Sequence, residues 1–339
     1  MPIHSSGAGN TLARKIAHHP AYHAVSVVAA PLSFLIALVV LLSVVARDQG
    51  FLTGQNWQTI VQSTAVVAIL AVGETAVIIT GGIDLAVGRV LALAGVVAAG
   101  AMVNHHAGIA AGVLWACAVG TVCGFVNGLL TVYGRMPAFI ATLGMMGVAN
   151  GLALMLSGDS NISGLAPGFD VFSTGELFAG PNRHGIPVPL LLMLGAALVV
   201  HLLLTRTGWG RSLYAVGGNR DAARLSGISL ARVTITVFML SGLLSGFAAV
   251  IHISRTGGAQ PTAGAGMELQ AIAAAVIGGT SLMGGVGNVP GTLIGAFLMA
   301  VIQNGCDLRG IHPHFQLIII GSVIWLASLY DGWRRRLSG

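Results

Sequence analysis

The stretch Gly210-Arg211-Ser212-Leu213-Tyr214-Ala215-Val216-Gly217-Gly218-Asn219-Arg220-Asp221-Ala222-Ala223-Arg224-Leu225-Ser226-Gly227-Ile228 is a short hydrophilic island between two long apolar runs. Each apolar run is close to the roughly 20 residues that a helix needs to cross a bilayer. The basic residues between the runs are five of the chain's sixteen: Arg206, Arg211, Arg220, Arg224 and Arg232. Because loops rich in Lys and Arg stay on the cytoplasmic side of a membrane, the stretch predicts a membrane-spanning fold with a cytoplasmic loop at 205–232.

The composition supports the same fold class. Apolar residues make up 55% of the 339 residues and charged residues only 8%, whereas about a quarter of the residues in a soluble domain are charged. The 49 glycines suit helices in lipid, which pack through small residues. The net charge of +6 indicates membrane topology and contact with the anionic lipids of the bilayer. No sequence motif for binding nucleic acid accompanies it.

Ten apolar runs are candidate membrane spans, although several are short or interrupted by glycine. They are 24–46, 57–80, 88–104, 108–133, 138–157, 188–204, 233–252, 268–283, 290–306 and 314–331. The predicted fold is therefore all-α, a polytopic membrane protein of about ten transmembrane helices, some of them broken or short. The first run of 23 residues exceeds the roughly 7–15 apolar residues of a signal peptide, so it predicts a retained helix.

The basic residues also predict the orientation. An even number of spans places both termini on one side, and the cytoplasmic assignment leaves twelve basic residues inside and four outside, as the positive-inside tendency requires. The inside residues are Arg14, Lys15, Arg89, Arg135, the five in the island and Arg334 to Arg336, and the outside residues are Arg47, Arg183, Arg255 and Arg309. The predicted segments are a cytoplasmic tail at 1–23, a transmembrane domain at 24–331 with a periplasmic loop at 158–187, and a basic cytoplasmic tail at 332–339.

The sequence lacks a recognisable nucleotide or metal site. A phosphate-binding P-loop needs a lysine followed by Ser or Thr, and the only lysine, Lys15, is followed by Ile16. The three cysteines, Cys117, Cys123 and Cys306, form no Cys-x-x-Cys pair and predict neither a disulfide framework nor a zinc site. We expect no catalytic residue, cofactor or metal in this chain, so any ATP-driven work must come from another subunit.

The island resembles, over about 19 consecutive positions, the cytoplasmic coupling segment of bacterial sugar importer permeases of the ATP-binding cassette class. An ordinary cytoplasmic loop is the alternative that composition alone favours. The resemblance implies a short amphipathic helix that lies between glycines and inserts into a groove of a separate ATPase. The residues of this coupling segment are Gly217, Gly218, Asn219, Arg220, Ala223, Arg224 and Gly227.

A second motif, Gly81-Gly82-Ile83-Asp84-Leu85-Ala86-Val87-Gly88, joins two apolar runs. It resembles the Gly-Gly-Ile-Asp-Leu-Ser-Val-Gly signature of the same permeases and departs from it at Ala86, where serine is usual. An acid beside a membrane span is costly unless it faces a cavity, pairs with a cation or meets free backbone N–H groups. Asp84 is therefore either a pathway residue or a helix cap. Glu74, in the preceding run, is expected to pair or to line a cavity.

A third motif, at 260–282, resembles the ribose-type members of these permeases. Pro261 prevents a regular helix before Glu268, which is predicted either to stabilise the start of the next helix or to line the pathway. Gly278-Gly279-Thr280-Ser281-Leu282 is also similar to the pentapeptide at 81–85, and paired helix breaks point to a transport pathway. Chance similarity in a glycine-rich chain is the alternative.

A neutral polyol passing between such breaks would need uncharged hydrogen-bonding groups. The intramembrane amides could supply them, or they could bond helix to helix instead. With these amides, the candidate pathway residues are Glu74, Gly81, Gly82, Asp84, Gly88, Asn127, Asn150, Glu268, Gly278, Gly279, Gln303 and Asn304.

The resemblance covers nearly the whole chain, including Pro137 to Gly144. It implies the permease subunit of an ATP-driven, binding-protein-dependent importer of ribose or a similar monosaccharide or polyol in a bacterial inner membrane. The implied partners are an ATPase subunit that holds ATP and Mg²⁺, a periplasmic sugar-binding protein, and a second permease copy in a homodimer or heterodimer. Two alternatives are an ion-coupled secondary transporter, with Glu74 and Asp84 as its relay, and a membrane enzyme, for which no catalytic cluster emerges.

Overall fold

The computed structural model describes residues 20–178 and 185–338. Its helices are α1 (Pro20–Val45), α2 (Gly54–Ile79), α3 (Val87–Asn104), α4 (Ile109–Val132), α5 (Ala138–Ser157), α6 (Val171–Thr174), α7 (Val188–Arg206), α8 (Gly208–Gly218), α9 (Arg220–Leu225), α10 (Leu230–Thr256), α11 (Met267–Ile277), α12 (Val289–Leu308) and α13 (Pro313–Ser338). The predictions for Arg14, Lys15 and Arg183, and most of the tail at 1–23, lie outside the described residues.

Within the described part of the chain, seven helices are long and apolar enough to cross a membrane: α2, α3, α4, α5, α7, α10 and α12. Three shorter apolar helical stretches lie at Pro31–Val45, Met267–Ile277 and His314–Val323. The prediction of a polytopic, mainly helical membrane protein is therefore confirmed. Of the ten predicted spans, these seven have full spanning length.

The fold is not entirely α-helical, because residues 20–178 and 185–338 include four two-residue strands outside the helices. The strands are β1 (Ile162–Ser163), β2 (Glu176–Leu177), β3 (Ile186–Pro187) and β4 (Gly258–Ala259). They form two antiparallel pairs, β1 with β4 and β2 with β3. Backbone N–H and C=O groups outside helices need partners, and these short ladders supply some. The segment around Phe169 is ordered, since Ser254 of α10 donates a hydrogen bond to the Phe169 carbonyl at 2.9 Å.

The core is centred on α2 and on the contact between α4 and α10. Every residue of α2 from Thr64 to Ile79 is buried, as expected for a helix that is apolar on all sides. At the α4–α10 contact, a Cβ on Gly120 would meet the Gly242 carbonyl, and a Cβ on Gly242 would meet the Gly120 carbonyl. The glycines thus let two backbones approach closely, as is common between helices in lipid.

The helix ends at two glycine pairs differ from the sequence prediction. The predicted span 268–283 is a helix only to Ile277, because the chain turns at Gly278 and Gly279, and Gly279 has a φ of 91°. At 1.5 Å per residue, the 11 residues of α11 rise about 16 Å, roughly half of a bilayer core. Gly217 and Gly218, the glycines expected before the short coupling helix, form the last turn of α8.

Candidate functional site

The first break, residues 80–86, folds back along the helix that precedes it. After α2 ends at Ile79, Gly81 adopts a φ of 79°, a conformation that glycine reaches without steric cost. The reversal places the backbone N–H of Asp84 against Glu74, where it donates a hydrogen bond to Oε1 at 3.0 Å. Both acids are buried, since Glu74 is 0% exposed and Asp84 is 2% exposed. The first break therefore brings together two acids that are ten residues apart in sequence.

The Asp84 carboxylate accepts hydrogen bonds from two different parts of the fold. Its Oδ1 accepts the backbone N–H of Ala86 at 3.0 Å, and its Oδ2 accepts the hydroxyl of Ser241, in α10, at 2.9 Å. Thr142 of α5 donates to the carbonyl of Ile83 at 3.2 Å. These bonds satisfy polar groups that would be costly to bury alone. They attach the first break to both α5 and α10.

The second break, residues 278–288, joins α11 to α12. Gly279, Gly284 and Gly285 have φ values of 91°, 84° and 74°, so glycines permit the turns. Asn288 then begins α12, since its Oδ1 accepts the Gly291 N–H at 2.7 Å. A Cβ on Gly278 would collide with the backbone of Gly291. The second break is therefore a tightly packed turn with a capped helix after it.

The two breaks meet each other and α8 at one point, which we call the junction: Ile79, Gly217 and Gly285. The Gly285 N–H donates to the Ile79 carbonyl at 2.9 Å. Gly217 packs against both, because a Cβ there would overlap the Ile79 carbonyl and approach the Gly285 nitrogen. Tyr214, one turn earlier in α8, donates its hydroxyl to the Gly287 carbonyl at 2.9 Å. The hydrophilic island is thus in direct backbone contact with the second break and with the end of α2, immediately before the first break.

The end of the island forms a small, firmly held helix, α9. Asn219 caps it, since its Oδ1 accepts the Ala222 N–H at 2.9 Å. Ala223 is the buried residue of α9. Gly227 follows the helix with a φ of 82°. Leu225 is 89% exposed although leucine is usually buried. The exposed members of this segment are Gly218, Asn219, Arg220, Arg224 and Gly227.

Glu268 and Gly88 lie at a separate contact. Glu268 is in the first turn of α11, and its Oε1 accepts the Gly266 N–H at 3.2 Å. A Cβ on Gly88 would meet both the Gly264 carbonyl and Glu268 Oε2. Arg89 donates to the carbonyl of Thr262 at 3.0 Å. The loop that precedes α11 is therefore held against the start of α3.

The four candidate amides differ in their contacts. Asn304 pairs with Asn56 of α2, with an Nδ2 to Oδ1 distance of 2.7 Å, which is a helix-to-helix use. Gln303 accepts a long bond of 3.4 Å from Gln270. Asn127 is buried and neither side-chain polar atom has a partner among the described residues, and Asn150 is half-buried. The role of these amides in binding a polyol stays a prediction.

Sequence reasoning missed Ser241, Thr142, Tyr214 and Gly285. Each contributes one hydrogen bond to a residue far away in sequence. Tyr214 lies in the island and Thr142 in the matching stretch Pro137 to Gly144, but neither these motifs nor helical spacing signals such a partner. Only Tyr214, a polar aromatic within the island, carries a hint, because a buried tyrosine hydroxyl usually finds a partner.

We expect Ser241→Ala to destabilise the protein more than Ser245→Ala. Both serines are buried in α10, but Ser245 donates only to the Ser241 carbonyl of its own helix. Removal of the Ser241 hydroxyl leaves Asp84 Oδ2 without that donor, which costs about 1–3 kcal/mol. Thermal unfolding in detergent measures the difference, and equal melting temperatures for the two variants would contradict the role given to Ser241.

The chain is similar in sequence to known permease proteins over almost its whole length. Residues 56–328 match the family described as "Branched-chain amino acid transport system / permease component". The ribose import permease protein RbsC of Escherichia coli (strain K12) is 44% identical over 302 residues, 88% of this chain and 92% of the relative. RbsC of Bacillus subtilis (strain 168) is 42% identical over 303 residues, 89% of this chain and 91% of the relative.

A relative named for another sugar is also similar. The D-allose transport system permease protein AlsC of Escherichia coli (strain K12) is 35% identical over 298 residues, 88% of this chain and 90% of the relative. No solved structure matches the chain. With a family match over 273 residues, from 56 to 328, and relatives aligned over most of their length, the chain belongs to the family of branched-chain amino acid transport system permease components.

Proposed function

We propose that the chain is the membrane-spanning subunit of an ATP-driven importer for ribose or a similar monosaccharide. The relatives that support the sugar are named as ribose and D-allose permeases, and the two ribose permeases are the more similar to this chain. Translocation itself needs no catalytic residue in this subunit. ATP and Mg²⁺ belong to a partner ATPase, because the chain lacks the lysine of a P-loop.

The single observation that carries the proposal is the junction. An importer whose ATPase is a separate subunit needs a mechanical path from the docking site to the pathway. Here the Gly285 to Ile79 hydrogen bond of 2.9 Å joins the second break to the end of α2. The helix α8 reaches this point through the packing of Gly217 and through the Tyr214 to Gly287 hydrogen bond of 2.9 Å. A displacement of α8 must therefore move the breaks, since Gly217 leaves no gap between them.

In this proposal the island docks on the ATPase through α9. Leu225, at 89% exposed, is the apolar anchor, and the exposed Arg224 is its neighbour in sequence. An exposed apolar side chain on a short, capped helix suits a groove in a partner, where a few buried anchors supply most of the binding energy. Ala223, on the buried side, holds α9 to the rest of the chain.

The proposed topology has ten spans with both termini in the cytoplasm. The seven long helices and the three shorter apolar stretches together make up the ten, and the island faces the ATPase. A periplasmic binding protein delivers the sugar at the opposite face, where the ordered segment around α6 lies. A second permease copy, identical or closely related, completes the pathway within the bilayer of the inner membrane.

Uptake by proteoliposomes tests the proposal. The chain, its co-purified ATPase and a sugar-binding protein are reconstituted, ATP is enclosed with the ATPase, and labelled ribose, allose, galactose and arabinose are compared. We expect uptake that requires enclosed ATP and that is greatest for ribose. Uptake that a proton or sodium gradient drives without ATP would instead establish an ion-coupled transporter.

A further inference from the structure

Beside the first break lies a cavity of about 560 Å³ to which the transport cycle proposed above assigns no ligand. Its walls come from the first break, the turn between α4 and α5, the start of α9, and α10. Sites for small molecules typically measure about 300–1,000 Å³. The cavity is therefore large enough for a ligand of that class.

The charge on the cavity wall is entirely positive. Arg135, from the α4–α5 turn, and Arg220, from α9, both line it, and none of the described residues that line it is acidic. Neither arginine forms an ion pair within residues 20–178 and 185–338. Arg135 also has a φ of 52°, in the left-handed region that residues other than glycine seldom occupy. Two unpaired guanidinium groups on one wall favour an anion.

Two further features of the wall donate hydrogen bonds. The helix α5 begins at the cavity, and its N-cap, Pro137, provides no side-chain cap. The Ile140 N–H donates to the Pro137 carbonyl at 3.0 Å, whereas the N–H groups of Ala138 and Phe139 remain available within the described part of the chain. Helix N-termini bind anions through such groups. Thr234 of α10 also lines the cavity and is only 4% exposed. Its hydroxyl makes no hydrogen bond in the described part of the chain and is not one of the fully buried atoms left without a partner, so it is accessible from the cavity.

The remaining wall combines two threonines, Thr80 and Thr131, with an apolar part. Val132, Met136, Phe139 and Phe238 line it, so a ligand that fills the cavity combines a compact anion with a less polar remainder. The planar guanidinium matches phosphate oxygens through two parallel hydrogen bonds. A phosphate ester has both parts, whether it is a soluble metabolite or the headgroup of an anionic phospholipid. Basic pockets between transmembrane helices on the cytoplasmic side are known to suit such headgroups.

We propose that this cavity binds the phosphate group of a phosphate ester between Arg135, Arg220, Thr234 and the N-terminus of α5. Such a ligand connects α9 to the α4–α5 turn and to the first break. Its occupancy would hold the docking helix in one position relative to the pathway. The regulatory consequence rests on the proposed function, whereas the binding rests only on the cavity.

Binding to the purified chain tests the proposal. The protein in a zwitterionic detergent is titrated with inorganic phosphate and, separately, with short-chain phosphatidylglycerol, while short-chain phosphatidylcholine serves as the zwitterionic lipid control. Thermal unfolding gives the concentration for half of the maximal shift. The variants are Arg135→Gln and the nearly isosteric Thr234→Val, and the matched control is Arg206→Gln, since Arg206 lies outside the cavity.

We expect the phosphate-bearing probes to raise the melting temperature of the unmodified chain and of Arg206→Gln. The half-maximal concentration should rise about tenfold in Arg135→Gln, because a hydrogen bond to a charged group is lost, and by a smaller factor in Thr234→Val. A shift with both probes indicates that a soluble phosphate suffices, and a shift with phosphatidylglycerol alone indicates a lipid source.

The inference is overturned if neither probe shifts the melting temperature, or if Arg135→Gln and Thr234→Val respond like Arg206→Gln. Since the readout is binding by the purified chain, its failure leaves the proposed transport function standing. Conversely, a failure of ATP-driven uptake in proteoliposomes would leave this binding result intact.

Discussion

Gly217→Ala should abolish most transport although it adds a single methyl group. The new Cβ would overlap the carbonyl oxygen of Ile79 and approach the nitrogen of Gly285, so the junction must open. Overpacking of this kind typically costs about 1–3 kcal/mol. We expect ATP-driven uptake to fall about tenfold or more, a factor equivalent to ~1.4 kcal/mol, because the docking helix and the two breaks no longer fit together. Initial uptake rates in proteoliposomes measure the effect.

The matched control is the neighbouring residue. A Cβ on Gly218 would meet nothing within 4 Å, and alanine is favoured over glycine in a helix by about 1 kcal/mol. Gly218→Ala should therefore insert normally, keep or slightly raise the melting temperature, and retain transport. Equal transport by Gly217→Ala and Gly218→Ala would contradict the mechanical role of the junction.

Leu225→Asp should separate the chain from its ATPase without unfolding it. Leu225 is 89% exposed, so its replacement removes no internal packing of this chain. If the side chain is the apolar anchor of docking, its loss costs about 2 kcal/mol or more, which weakens the complex roughly 30-fold. We expect sugar-stimulated ATP hydrolysis to be lost while membrane insertion and the melting temperature stay unchanged.

Leu225→Met is the conservative control, because methionine keeps an apolar side chain of similar size. It should retain most of the ATPase coupling. Arg224→Glu provides a second, electrostatic probe at the preceding residue, since it reverses a charge on the exposed side of α9. Normal coupling in both Leu225→Asp and Arg224→Glu would show that the ATPase docks elsewhere.

Much of the fold could be predicted because a membrane makes hydrophobicity a direct signal of position. The run 138–157 coincides with α5, and 188–204 differs from α7 by two residues. The predicted helix boundaries were wrong where a run stays apolar but its backbone leaves the helical conformation. At 268–283 the residues stay mostly apolar, but the helix stops at Ile277, because Gly279 takes a backbone conformation outside the helical region.

The site was only partly predictable, because its contacts join distant parts of the chain. The motifs around Asp84 and Gly217 could be singled out, yet their partners could not. Glu74 lies ten residues before Asp84, a spacing that no single helix face explains, and only the reversal at the first break brings them together. The contact of Gly217 with Ile79 spans a large part of the chain and is a matter of backbone packing, for which residue type gives little signal.

The central claim is that this chain is the permease subunit of an importer powered by a separate ATPase. Its most direct test is gentle-detergent purification of the tagged chain from its native membranes, with the bound proteins identified by mass spectrometry. The account predicts that an ATPase with a Gly-Lys-Ser/Thr phosphate-binding loop is recovered with the chain and is lost from the Leu225→Asp variant. Recovery of the chain without any ATPase, in membranes where it supports sugar uptake, would contradict it.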